Sequence, residues 1–262
     1  MNQSETNPAA ILLNKVPQIT IYFWIIKVLA TTVGETAADL LSTRLNLGLT
    51  ITSWIMSGAF IAILIWQMRT RAYVPTPYWL TVVLISVVGT LISDNLVDGL
   101  GISLVTTSIA FALILAAVFA SWYSSEKTLS VHTIVTVRRE AFYWAAILFT
   151  FAMGTSVGDL ISETLNMGYG PTALVFAAMI GAVAFLHFGL KANAIVTFWL
   201  AYILTRPLGA SIGDYMAKPV IAGGLGWGTI TTSLIFLAAI LSFVVFLTIT
   251  KTDRLPQITR EI

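Results

Sequence analysis

The chain has 262 residues, of which 57% are hydrophobic and only 10% charged, and its mean hydropathy is +0.89. A soluble domain, usually near half apolar and a quarter charged, is excluded, and the composition is that of a polytopic membrane protein. The net charge of +2 does not point to nucleic acid, since no nucleic-acid motif is visible and the basic residues fall in short segments between apolar runs.

The opening residues, MNQSETNPAA, lack the basic region and compact apolar core of a cleavable signal. The apolar stretch that begins near Ile19 is too long for one, so it is expected to remain as the first span. Reading runs of about 18 or more apolar residues as spans predicts helices near 19–45, 49–68, 78–98, 102–123, 140–165, 171–190, 193–217 and 228–250. The fold class is therefore all-α integral membrane, with eight transmembrane helices. A first half (1–124) and a second half (140–262) flank a polar connector (125–139), expected to be a cytoplasmic loop or surface helix.

One spacing occurs four times: a Trp, a Gly ten residues on and an Asp five further, as Trp24/Gly34/Asp39, Trp79/Gly89/Asp94, Trp144/Gly154/Asp159 and Trp199/Gly209/Asp214. Successive Asp positions differ by 55, 65 and 55 residues, which reads as a duplicated duplication. Each unit holds two spans, so the four helical hairpins are parallel repeats related by an axis along the membrane normal. Aromatic groups open each odd-numbered helix at Trp24, Trp79, Trp144 and Trp199, where an interfacial belt would anchor them. Lys15, Arg69, Arg71, Lys127, Arg138, Arg139, Lys191, Lys251, Arg254 and Arg260 fall on one side, against Arg44 and Lys218 on the other. The positive-inside rule assigns both termini to the cytoplasm.

Seven acids form a band on the odd helices: Glu35, Asp39, Asp94, Asp98, Asp159, Glu163 and Asp214. Glu35/Asp39, Asp94/Asp98 and Asp159/Glu163 are i, i+4 pairs that share a helical face, while the fourth unit has Lys218 in place of the second acid. Like charges so placed in a poorly hydrated site require protons or a cation. At about 1.5 Å per residue, Asp39 lies roughly 30 Å along from Ile19, in the outer part of the membrane or at its boundary. Two readings follow: a polar centre on which the Asp residues converge, or hydrated acids at an outer rim. The Gly before each Asp likewise has two readings, close helix packing or local unwinding that exposes carbonyls. Thr36, Ser93, Thr155, Ser156 and Ser211 add hydroxyl oxygens near the acids. Lys27 and Arg206 lie inside spans, Arg206 followed by Pro207; each is a coupling residue or a counter-ion, with snorkelling towards the interface the simpler expectation for Lys27. His132 and His187 show no ligand spacing.

The strings KVLATTVGETAADLLS and TRPLGASIGDYMAKP resemble a bacterial family of multi-pass inner-membrane proteins labelled uncharacterised membrane-anchored protein. The resemblance spans nearly the whole chain and implies a bacterial inner-membrane location without implying an activity. A looser similarity of principle links the Gly-Asp strings GTSVGD and GASIGD to manganese- and calcium-type cation exporters, although no Glu stands two residues before Gly158 or Gly213.

Without cysteine, any metal must be bound by oxygen or by the two His residues, which favours hard or borderline cations. The leading expectation is a transporter of a divalent cation, manganese foremost, through Asp39, Asp94, Asp159, Asp214, Glu35, Asp98 and Glu163, with proton coupling and with Arg206, Lys27 and Lys218 as coupling or counter-ion residues. The alternatives are a proton-coupled carrier of an organic cation and a non-transporting scaffold or sensor. No catalytic constellation and no cofactor motif are found, so neither an enzyme nor a bound cofactor is expected. The expected partners are the bilayer, the cation and protons, with a second copy of the chain a candidate.

Overall fold

The structure is a computed structural model that describes residues 13–253. The first ten residues and Arg254 and Arg260, which entered the sequence reading, lie outside the described residues. Eight helices long and apolar enough to cross a membrane run in chain order: α1 (Ile21–Asp39), α2 (Gly48–Arg69), α3 (Pro75–Asp94), α4 (Leu104–Glu126), α5 (Val137–Asp159), α6 (Tyr169–Phe188), α7 (Ala194–Ala217) and α8 (Thr229–Thr250). No strand occurs among the described residues. Local chemistry marks the boundaries: Pro75 opens α3, Ser103 caps α4, Thr136 caps α5, and Asn193 accepts from the Ile195 and Val196 amides at the start of α7.

The odd helices form an inner ring in which α1 packs on α3, α3 on α5, α5 on α7, and α7 back on α1. The seams repeat. Within each unit, the side chain seven residues after the Trp enters the notch left by the Gly of the preceding unit: Ser86 against Gly34, Phe151 against Gly89, Arg206 against Gly154 and Thr31 against Gly209. Only a residue without a Cβ permits this approach, so the repeated Gly serves packing and no helix unwinds at it. The even helices form an outer shell. Each packs mainly on the odd helix of the next unit, and α8 closes the circle on α1. Between 11% and 22% of each even span is buried, against 56% to 61% of each odd span, so the outer shell faces lipid.

The Trp residues do not form a lipid-facing belt. Trp79, Trp144 and Trp199 are buried, and Trp24 is partly so. The reason is register: the Trp lies three, seven and ten residues before inward-facing positions and shares their face. Each Trp meets the ring that precedes the Trp of the previous unit, in the pairs Phe23–Trp79, Tyr78–Trp144, Tyr143–Trp199 and Phe198–Trp24, with centroids 5.6, 5.6, 6.3 and 5.7 Å apart. This closed aromatic layer seals one end of the inner ring.

Both ends of the described chain lie at that sealed end, where the Gln18 amide donates to the Asp253 carbonyl. The segment before α1 is laced beneath the bundle by Asn14, whose side chain binds the Val131 carbonyl and the Ile134 amide, and by Lys15, paired with Glu140 at 2.6 Å inside the protein. The connector between α4 and α5 is a loop that holds one short 3₁₀ turn, Val131–Thr133, and no surface helix forms in it. Val131, Thr133 and Ile134 are buried because the loop supplies the surface on which the N-terminal segment rests.

Candidate functional site

The Asp of each unit falls near the C-terminal end of its odd helix, at the end opposite the aromatic seal. In the first three units the helix continues past the Asp as a wider π turn, at Leu40–Arg44, Asn95–Gly99 and Leu160–Thr164. In two of these the turn closes with an i to i+5 hydrogen bond, from the Leu45 amide to the Leu40 carbonyl and from the Leu165 amide to the Leu160 carbonyl. Widened turns of this kind are uncommon and often accompany functional sites. The fourth unit has none; α7 stops at Ala217 and Lys218 follows.

Between these four helix ends lies a cavity of about 160 Å³ lined by Glu35, Asp39, Asp94, Asp98, Asp159, Glu163 and Asp214, with Ser93, Val97, Leu104 and Lys218. All seven acids singled out in the sequence thus face one space, at the helix ends opposite the aromatic seal. They stand in tiers. Glu35, eleven residues after its Trp, is at the floor and buried; the four Asp residues form the next tier; Asp98 and Glu163, both exposed, and Lys218 form the mouth.

The tiers are held unequally. Lys218 Nζ lies 3.4 Å from Asp39 and 3.7 Å from Asp214, tying the first unit to the fourth. Burial lowers the proton affinity of Lys218, but the carboxylates of Asp214, Asp39 and Glu35 outweigh it and raise the pKa above the usual lysine range. Glu163 accepts from Tyr169 Oη at 2.9 Å. Among the described residues, Asp94, Asp98 and Asp159 accept no hydrogen bond and form no salt bridge, and no three carboxylates or imidazoles lie close enough to hold one ion between them. Ser93 and Ser156, 2.8 Å apart, join α3 to α5 just below the Asp tier.

Beneath the floor, the inner ring is filled. Arg206 is fully buried, and its Nη2 donates to Glu35 at 2.9 Å, to Thr155 at 2.6 Å and to Thr90. Glu35, Thr90 and Thr155 are equivalent positions, each eleven residues after its Trp, so the guanidinium of the fourth unit meets one residue from each of the other three. One turn further towards the seal, Lys27 is also fully buried, with Nζ 3.8 Å from the Tyr202 ring centroid and 4.3 Å from that of Phe151. The ammonium does not snorkel. The aromatic layer covers the way out, and two ring faces replace water as its environment. His187, at the far end of α6, shares a hydrogen bond of 2.8 Å with Thr197 and takes no part in the cavity.

Sequence reasoning missed the pairing of Lys15 with Glu140, which Gln67 and Trp144 also contact, and the partner of Arg206. A signal for the second was present: aligning the units on Trp places Arg206 one turn below Glu35, Thr90 and Thr155.

A family model described as Repeat of Unknown Function (DUF347) matches four times, at residues 22–73, 77–128, 142–193 and 197–253. The chain belongs to this family. Each DUF347 repeat comprises one odd helix, with its Trp, Gly and Asp, and the even helix that follows. No curated protein and no solved structure matches the chain.

Proposed function

We propose that this DUF347 protein moves a divalent cation, manganese foremost, across the bacterial inner membrane by way of the carboxylate cavity. The observation that carries this reading is the convergence of seven carboxylates, at a recurrent register, on one cavity whose lining includes a single ammonium. Carboxylates placed inside a bundle are costly and mark ion or proton pathways, and oxygen-only ligation suits Mn²⁺, Mg²⁺ and Ca²⁺. No three of the acids among the described residues lie close enough to hold one ion between them, so on this reading the cation keeps part of its water shell and some carboxylates act through water. No aromatic side chain lines the cavity, so an organic cation would find no stacking surface there. Protons that exchange with the cation on the same acids would couple its movement to the proton gradient.

The basic residues Arg69, Arg71, Lys127, Arg138, Arg139, Lys191 and Lys251 gather at the sealed end, and the positive-inside rule supports the reading in which that end lies in the cytoplasm and the cavity faces the periplasm. The test is purified protein in liposomes, with uptake and efflux of Mn²⁺, Ca²⁺ and Mg²⁺ followed by an enclosed dye. Movement of at least one of these ions above protein-free vesicles is expected, and movement of none would refute the reading.

A further inference from the structure

Arg206 occupies the axis of the inner ring immediately below the cavity, and its contacts are one-sided. Everything it binds is reached through Nη2, whereas Nε and Nη1 are buried without a partner. A guanidinium offers five N–H donors in a fixed fork, and burying some of them unmet costs free energy that only a strong interaction elsewhere offsets. That interaction is the pair with Glu35. The aliphatic stem is clamped as well, since Arg206 Cβ and Cγ fill the notch at Gly154 and Pro207 follows. Glu35 therefore has two neighbours: a fixed positive charge below it, and the cavity with its tier of Asp residues above.

We propose that Arg206 is a tethered monovalent cation that competes with the substrate for Glu35 and so sets the charge the site accepts; this rests on the reading of the cavity as a cation site. A monovalent ion arriving at Glu35 exchanges one unit charge for another and leaves a buried guanidinium without its counter-ion, which is strongly unfavourable. A divalent ion strands the guanidinium as well and is repelled by it twice as strongly, but it also doubles the attraction to Glu35 and to each Asp above, and these several carboxylates outweigh the single guanidinium. Arg206 is thus a specificity-determining residue that acts through Glu35 and is not itself a ligand. Thr90 and Thr155 position it, and the Ala at the equivalent place in its own unit, Ala210, leaves its charge directed at the other three.

The test is Mn²⁺ binding to the purified protein by titration calorimetry, with Na⁺ as competitor and N-methylglucamine chloride as the ionic-strength control. Wild-type protein is expected to bind Mn²⁺ and to resist displacement by excess Na⁺ beyond the control. Arg206→Gln is expected to bind Mn²⁺ about tenfold more tightly, since a charge of the same sign is removed from beneath the site, and to become sensitive to Na⁺. Arg206→Lys keeps the charge and should still exclude Na⁺, which decides the matter if the Gln variant does not fold. A Gln variant with unchanged Mn²⁺ affinity and no Na⁺ sensitivity, or a Lys variant that admits Na⁺, overturns the role of Arg206 and leaves the cavity reading standing. Wild-type protein that binds neither Mn²⁺, Ca²⁺ nor Mg²⁺ overturns both.

Discussion

Replacing Gly89 by Ala tests the seams of the inner ring. The added Cβ would lie 2.7 Å from Phe151 Cβ and 3.2 Å from the Ala152 amide nitrogen. Carbon atoms in contact are comfortable at about 3.5–4.0 Å, so α3 and α5 must part by about 1 Å at this point. Overpacking of this kind costs about 1–3 kcal/mol, partly offset by the gain of about 1 kcal/mol when Ala replaces Gly within a helix. The same substitution at Gly58 in α2 or Gly181 in α6 meets nothing within 4 Å, so only the helix-propensity gain remains. Thermal unfolding in detergent, followed by tryptophan fluorescence and circular dichroism, should place Gly58→Ala and Gly181→Ala at or above wild type and Gly89→Ala clearly below both of them. Gly209→Ala should be the more severe seam variant, because its Cβ would lie 1.9 Å from Thr31 Oγ1 and 3.0 Å from the Thr32 amide nitrogen, part of the backbone. If Gly89→Ala proves as stable as Gly58→Ala, the closely packed ring described here is wrong.

Three further outcomes are expected. Asp159→Asn and Asp214→Asn should each abolish divalent-cation movement in liposomes while leaving expression and insertion intact, since Asn retains the size and removes the charge; transport at the wild-type rate by both variants would return the acids to a structural role. Lys15→Met should lower stability by about 3–5 kcal/mol by stranding Glu140, and Lys15→Met combined with Glu140→Leu should recover part of that loss in the same unfolding assay. Lys218 has a raised folded-state pKa, so its stabilising contribution is complete below the usual lysine value of about 10.4 and is lost only as pH rises beyond it. The difference in melting temperature between wild type and Lys218→Gln should accordingly stay level from neutral pH to about pH 10 and shrink above that; a difference that vanishes near neutrality would contradict the pairing with Asp39 and Asp214.

The eight spans and the convergence of the acids were legible because both depend on short-range regularity, apolar run length and a carboxylate at a constant offset from Trp and Gly. The surroundings of the Trp residues were not legible in the same way. A Trp at the start of a span satisfies an interfacial belt and a buried layer equally, and only the ring of parallel helices, a long-range property, turns Trp79, Trp144 and Trp199 inwards. Lys27 misled for the same reason, because snorkelling assumes a free path to the interface and the aromatic layer closes it. The buried connector around Val131–Thr133 depends on a partner from the far N-terminal segment, so nothing local announced it. The π turns after Asp39, Asp94 and Asp159 have no sequence rule behind them that we can state.

A ring of four like units could also be assembled from four separate copies of one repeat. Strict symmetry would then place the same side chain at every equivalent position, so the layer beneath the cavity would hold four arginines or none. Joining the units in one polypeptide removes that restriction. It allows one arginine to stand among three oxygen-bearing partners, one lysine to sit between two rings and one glutamate to form the floor. A ring of identical copies could not place a single charge at one of four equivalent positions, and here Glu35 and the Arg206 that pairs with it stand at and below the floor of the cavity to which every unit contributes an aspartate.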